Sequence, residues 1–60
     1  MKCSQMLRLL KRAGWYQVSQ KGSHMKLKHD DHKHTIIFPD HGAAELGKGL
    51  EAKIRKQAGI

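Results

Sequence analysis

Residues 15–29 have the sequence WYQVSQKGSHMKLKH, two strand-like segments on either side of a glycine–serine pair. In the second segment, Met25 and Leu27 alternate with polar residues, which is the period of a strand with one buried face. The first segment, Trp15 to Lys21, has the aromatic and β-branched content of a strand. Gly22-Ser23 between them fits a tight turn. The stretch therefore predicts a β-hairpin with strands at 15–21 and 24–29.

A third strand is predicted at residues 35–38, Thr-Ile-Ile-Phe, where Pro39 ends it. Its apolar side chains do not alternate, so either face could be the buried one. The polar residues 30–33 are expected to form the hairpin loop before this strand.

Two amphipathic helices are predicted to flank the strands. The first carries an apolar stripe of Met6, Leu7 and Leu10, and the second carries one of Leu46, Leu50, Ile54 and Ala58. Ser4 is expected to cap the first helix and Ala13-Gly14 to end it, whereas the second begins between residues 45 and 49 and ends at Gly59. The chain is thus predicted to be an α+β domain spanning 1–60, with both helices on one face of a three-stranded antiparallel sheet.

Composition excludes several classes of protein. With 60 residues the chain holds one small domain and no large enzyme fold with its own cofactor pocket, and no run of residues is apolar enough for a membrane span. Twelve Lys and Arg against five Asp and Glu give a net charge of +7, which attracts polyanions such as nucleic acid. The single Cys3 forms no internal disulfide and no signal peptide is evident, so we expect a cytoplasmic protein.

One group of residues suggests chemistry. Alternation places His24 on the same face as Lys26 and Lys28, opposite Met25 and Leu27. A histidine can accept and donate protons near neutral pH, and two lysines beside it could hold a phosphate while the 2′-hydroxyl of RNA attacks it. Such a reaction needs no metal or deep pocket. From local features alone, an exposed polar strand residue is the simpler interpretation of His24.

Other residues have weaker claims to a function. Residues 29–34, His-Asp-Asp-His-Lys-His, contain metal-ligand types, and His32 and His34 would share a strand face, but their spacing fits no zinc pattern. Trp15 and Tyr16 either stack on bases or pack at the core. The basic side chains of Lys53, Arg55 and Lys56 either contact phosphates or form a solvated helix end.

Three segments together resemble the HicA family of toxins, which are small YcfA-like mRNA interferases. These segments are Gly14-Trp15-Tyr16, Gln20-Lys21-Gly22-Ser23-His24 and the closing Ile54-Arg55-Lys56-Gln57-Ala58-Gly59-Ile60. The resemblance extends from Leu7 to Ile60. It implies a fold like the double-stranded-RNA-binding domain, with the order α-β-β-β-α. It also implies ribosome-independent cleavage of mRNA by the toxin of a type II toxin–antitoxin system, with a HicB-type antitoxin as partner.

The catalytic histidine of that family corresponds to His24, which the antitoxin would mask. The resemblance gives no role to the other histidines. This chain departs from the family pattern at Gly47, where the family often has a proline. We expect His24 to act as general acid and base without metal or other cofactor, and Lys21, Gly22, Ser23, Lys26 and Lys28 to contact the RNA. The alternatives are a non-catalytic RNA-binding module of the same fold and a metal-carrying protein that uses the His-rich hairpin.

Overall fold

The hairpin predicted from residues 15–29 forms two of the three strands in a computed structural model that describes all of residues 1–60. The elements in chain order are α1 (Cys3–Arg12), β1 (Tyr16–Lys21), β2 (His24–His29), β3 (His32–Pro39) and α2 (Lys48–Ala58). The strands are antiparallel in the order β1-β2-β3, so β2 lies in the centre. This arrangement confirms the predicted α+β class and agrees with the double-stranded-RNA-binding-domain-like order.

The turn between β1 and β2 contains two residues, as predicted. Lys21 pairs with His24 across it, and Gly22 adopts a positive φ of 59°. A positive φ at the first of two loop residues is the position where type II′ hairpin turns carry glycine. The turn therefore fixes the register of the hairpin. That register shifts once between Gln17 and Ser19, where Val18 has no partner.

The start of α1 differs from the prediction. The helix begins at Cys3, so Ser4 lies inside the first turn rather than at the cap. The first amides of the helix instead donate to the loop after β3: Cys3 to the carbonyl of Ala44 at 3.0 Å and Ser4 to that of Gly42 at 2.9 Å. Because these carbonyls already satisfy the end of the helix, no hydroxyl cap is needed.

The strand β3 is longer than predicted and begins at His32, so only Asp30-Asp31 remain as the turn. The predicted loop at 30–33 was therefore wrong at its C-terminal end, because His32 and Lys33 belong to β3. Along β3 the inward positions are His32, His34, Ile36 and Phe38, whereas Ile37 points outward. The sequence pattern left the buried face open because the outward Ile37 is as apolar as its inward neighbours Ile36 and Phe38. Pro39 ends the strand, as predicted, on the edge of the sheet where a missing amide is tolerated.

The core lies between one face of the sheet and both helices, as predicted. It consists of Cys3, Met6, Leu10, Trp15, Met25, Leu27, Ile36, Phe38, Leu46, Ile54 and Ala58. The expected stripe of α2 is wrong at one position, because Leu50 is 39% exposed. The helix begins only at Lys48, so Leu46 reaches the core from the extended segment before it. Every side chain of the edge strand β1 is exposed.

Candidate active site

The uncovered side of the sheet is lined by the outward residues of all three strands, and we call it the open face. On the central strand these are His24, Lys26 and Lys28, all exposed, as the alternation predicted. Successive outward positions on a strand are about 7 Å apart. The open face therefore presents one imidazole and two ammonium groups in a row.

Cross-strand pairing shows what surrounds this row. Lys21 lies opposite His24 on one side and Pro39 lies opposite it on the other. Lys26 has Ser19 and Ile37 as its partners, and Ile37 is 52% exposed. Cross-strand partners are about 5 Å apart and share a face. His24 is thus bordered by the ammonium group of Lys21 and by exposed apolar surface.

The turn beside His24 is held in place by hydrogen bonds that involve Gln20 and Asp40. The amide of Asp40 donates to the carbonyl of Ser23 at 2.6 Å. The side-chain amide of Gln20 donates to the carbonyl of Gly22 at 3.0 Å and to Oδ2 of Asp40 at 3.2 Å. These contacts join the start of β2 to the loop after β3. The local sequence does not indicate the bond between Gln20 and Asp40, because these residues are 20 positions apart.

Charge on the open face is predominantly positive. The ion pairs of the molecule involve the amino terminus, Glu45, Glu51 and Arg55, so none of the lysines on this face is neutralised by a carboxylate. At the far end, Asp30 accepts a hydrogen bond from the Tyr16 hydroxyl at 3.1 Å, and this bond raises the pKa of Tyr16 above its usual 10.0. Tyr16 is 44% exposed, and its phenol pairs with Asp30 at the edge of the sheet.

The arrangement has the elements of proton-transfer chemistry on an anionic substrate. An exposed imidazole can accept a proton from a bound group and return it, and flanking ammonium groups can hold a phosphate and stabilise negative charge that develops on it. The substrate would lie on an open surface rather than in an enclosed pocket. Such a surface fits a polymer better than a small molecule.

The remaining strand histidines form a separate group, which we call the imidazole cluster: His29, His32 and His34 packed around Trp15. The centroid of the Trp15 ring lies 5.3, 5.0 and 5.7 Å from those of His29, His32 and His34. These rings point inward, in phase with the apolar core residues of β2 and β3, whereas His24 points outward. His24 therefore has no second histidine beside it.

Backbone hydrogen bonds explain the position of the imidazole cluster. Nε2 of His29 lies 2.8 Å from the carbonyl of Ala13, and Nε2 of His34 lies 2.6 Å from that of Gln57. Each ring thus bonds a carbonyl at the end of one helix, which a helix cannot satisfy by itself. No group of three or more ligating side chains is placed to hold a metal ion. The cluster packs against Trp15, which is itself buried in the core, so Trp15 does not offer a stacking surface.

Three further features of the chain lie outside the open face and the imidazole cluster. Cys3 is buried in the core, and the chain has no disulfide. Neither helix has the length and apolar content needed to cross a membrane. His41 lies exposed in the loop after β3, outside the open face.

Comparison with known proteins gives a consistent result over the whole chain. A family model described as the HicA toxin of bacterial toxin-antitoxin matches residues 3–60. The protein "Probable mRNA interferase HicA" of Pseudomonas fluorescens (strain Pf0-1) is 43% identical over 60 residues, which cover 100% of this chain and 97% of that protein. The family match includes both helices and all three strands, and with them the hairpin that carries His24. The chain therefore belongs to the HicA toxin family.

Proposed function

We propose that this toxin is an mRNA endoribonuclease in which His24 serves as general acid and base. The observation that carries the proposal is the position of His24 on the open face, exposed beside Lys21 and in the same row as Lys26 and Lys28. The name of the Pseudomonas relative, an mRNA interferase, supports RNA as the substrate. Residues 1–60 would form one toxin domain, acting in the cytoplasm where mRNA is found.

The proposed reaction uses the substrate's own nucleophile. His24 takes the proton of a 2′-hydroxyl, the 2′ oxygen forms a bond to the adjacent phosphorus, and the bond from phosphorus to the 5′ oxygen breaks. The protonated His24 then gives its proton to the departing 5′ oxygen. The products are a 2′,3′-cyclic phosphate and a 5′-hydroxyl. This reaction requires neither a metal ion nor the ribosome, and one histidine performing both proton transfers predicts slow turnover.

The neighbouring cations would hold the reacting phosphate. Lys21 lies directly across from His24, and Lys26 follows at the next outward position of β2. Ammonium groups at these positions stabilise charge that develops on the non-bridging oxygens. The Gly22-Ser23 turn keeps the start of β2 in place through its bonds to Gln20 and Asp40. Lys28 would contact a phosphate farther along the strand.

A HicB-type antitoxin is the partner that we propose for the open face. Family membership makes the chain the toxin of a toxin–antitoxin pair, so an antitoxin partner exists. Exposed apolar side chains lie beside the cationic row, with Ile37 next to Lys26 and Tyr16 next to Lys28. A protein that buries them would cover His24 and prevent RNA from reaching it.

The decisive experiment compares His24→Ala with His41→Ala, which removes an exposed imidazole from the loop outside the open face. Purified toxin is incubated with RNA in EDTA and without ribosomes, and the product ends are identified. We expect cyclic phosphate ends from the wild type and His41→Ala, and intact RNA with a folded His24→Ala. Induced expression should arrest growth with loss of mRNA for the first two proteins alone.

Four outcomes would contradict the proposal. Cleavage by His24→Ala would remove His24 from the chemistry, and 5′-phosphate products or strict Mg²⁺ dependence would overturn the mechanism. Salt-dependent RNA binding without cleavage by any of the proteins would favour the alternative, a non-catalytic RNA-binding module. Circular dichroism of each variant shows whether the fold persists, as the exposure of His24 predicts.

A further inference from the structure

A second cationic surface lies on the helical side of the molecule, where α1 meets the loop after β3. An open groove of about 460 Å³ runs between them. Its walls include Arg8, Lys11, Arg12, Ser4, Asp40 and Gly42, and we call it the α1 groove. We propose that the α1 groove binds the phosphodiester backbone of the RNA substrate beside the segment held at His24. This inference rests on the proposed function, that the chain acts on RNA.

Charge favours a phosphate ligand in the α1 groove. Arg8, Lys11 and Arg12 contribute three cations, spaced so that they share one side of the helix. None of them takes part in an ion pair, and α1 contains no acidic residue. The single carboxylate of the groove, Asp40, already accepts a hydrogen bond from Gln20. Clustered arginine and lysine side chains are typical of sites that bind phosphate oxygens.

The lining of the groove favours RNA over a protein partner. Its one apolar side chain, Leu7, is half-buried against the core. The groove therefore lacks the cluster of apolar side chains that forms the buried centre of a protein–protein interface. Complementing the helix dipole explains Lys11 and Arg12, which lie in the last turn of α1, but it does not explain Arg8 in the middle of the helix.

The α1 groove is physically joined to the candidate active site. Asp40 forms part of its wall and directly follows Pro39, the cross-strand partner of His24. The amide of Asp40 also donates to the carbonyl of Ser23, the residue before His24. An RNA strand that leaves His24 past the turn therefore meets the α1 groove next. Cleavage and backbone binding would occupy two adjoining parts of one RNA track.

The test measures binding without cleavage. A short single-stranded 2′-O-methyl RNA has no 2′-hydroxyl to attack, so its affinity can be followed by fluorescence anisotropy at several salt concentrations. The groove variant is Arg8→Gln/Lys11→Gln, and the matched control is Lys53→Gln/Lys56→Gln, which removes the same charge from exposed positions on α2. The logarithm of the binding constant falls linearly with the logarithm of the salt concentration, and each phosphate contact to a single strand adds about 0.7 to the size of this slope. Two contacts therefore strengthen binding about 25-fold at 0.1 M salt relative to 1 M.

We expect the groove variant to bind about 25-fold more weakly at 0.1 M salt, with a slope reduced by about 1.4, and the control to retain most of its affinity. Asp40→Asn removes the one negative charge of the groove and should tighten binding. Equal losses in the groove variant and the control would overturn the proposal in favour of diffuse charge attraction. Unchanged RNA binding in the groove variant would also overturn the proposal. Since the readout is binding alone, cleavage by His24→Ala would refute the proposed function and leave this result intact.

Discussion

Replacing Gly14 by alanine tests the contact between α1 and the imidazole cluster. Gly14 follows the helix with a φ of 102°, a region that side chains rarely adopt, and forcing alanine there costs about 1–3 kcal/mol. A Cβ at this position would also lie 2.5 Å from Nε2 of His29. The ring must then move and lose its bond to the carbonyl of Ala13, which costs about 0.5–1.5 kcal/mol more.

The two contributions together predict that Gly14→Ala lowers the free energy of unfolding by about 2–4 kcal/mol. A domain of this length has a total stability of about 3–9 kcal/mol, so the loss should be large in a urea or thermal melt. The matched control is Gly49→Ala on α2, where nothing lies within 4 Å of the new Cβ. That substitution should be neutral or stabilise the helix by up to about 1 kcal/mol.

A double-mutant cycle separates the two causes. In a His29→Ala background the clash is absent, so Gly14→Ala should cost only the conformational part, and the two substitutions should couple by about 0.5–1.5 kcal/mol. Additive effects would show that the His29 ring is not held against Gly14. Wild-type stability of Gly14→Ala would refute both parts of the reasoning.

Three other measurements test separate features of the structure. Spectrophotometric titration should give Tyr16 a pKa above 10.0, and Asp30→Asn should lower this pKa toward 10.0 because the phenol loses its charged acceptor. The hydrogen bond therefore stabilises the fold below pH 10, and this contribution is lost as the pH rises through the pKa of Tyr16 in the folded state. Ile54→Ala should lower the free energy of unfolding by about 2–5 kcal/mol, whereas Leu50→Ala, at an exposed position, should cost about 1 kcal/mol or less. Equal losses in urea melts would contradict the observed exposure of Leu50. Lys26→Gln should weaken binding of the 2′-O-methyl RNA about fivefold at 0.1 M salt without changing the melting temperature, and unchanged binding would remove that residue from the RNA track.

The fold was predictable wherever polar and apolar residues follow a clear period. Alternation gave β2 its limits and its faces, and the two-residue turn then placed Lys21 across from His24. The same period runs through β3, but its first inward positions are His32 and His34, and polar residues there resemble a loop. The two-residue spacing that His32 and His34 share with Ile36 was the available sign of the longer strand.

The helix limits were less predictable because tertiary contacts determine them. A four-residue spacing placed Leu46 and Leu50 on one helical stripe, although the glycines between them argued against a helix there. The start of α1 depends on the carbonyls of Gly42 and Ala44, which lie about forty residues away along the chain. No local motif reports a cap supplied from such a distance.

Strand parity explains why histidines of one sheet have different roles. His29 lies five positions after His24 on β2, an odd offset, so the two side chains point to opposite faces. The inward His29 bonds the end of α1 and packs against Trp15, where it is fixed in place. The outward His24 is exposed to solvent and lies across from Lys21, the position that the proposed chemistry requires. A shift of one residue in the β1–β2 register would exchange these environments, which makes the Gly22-Ser23 turn as important to the proposed chemistry as the imidazole itself.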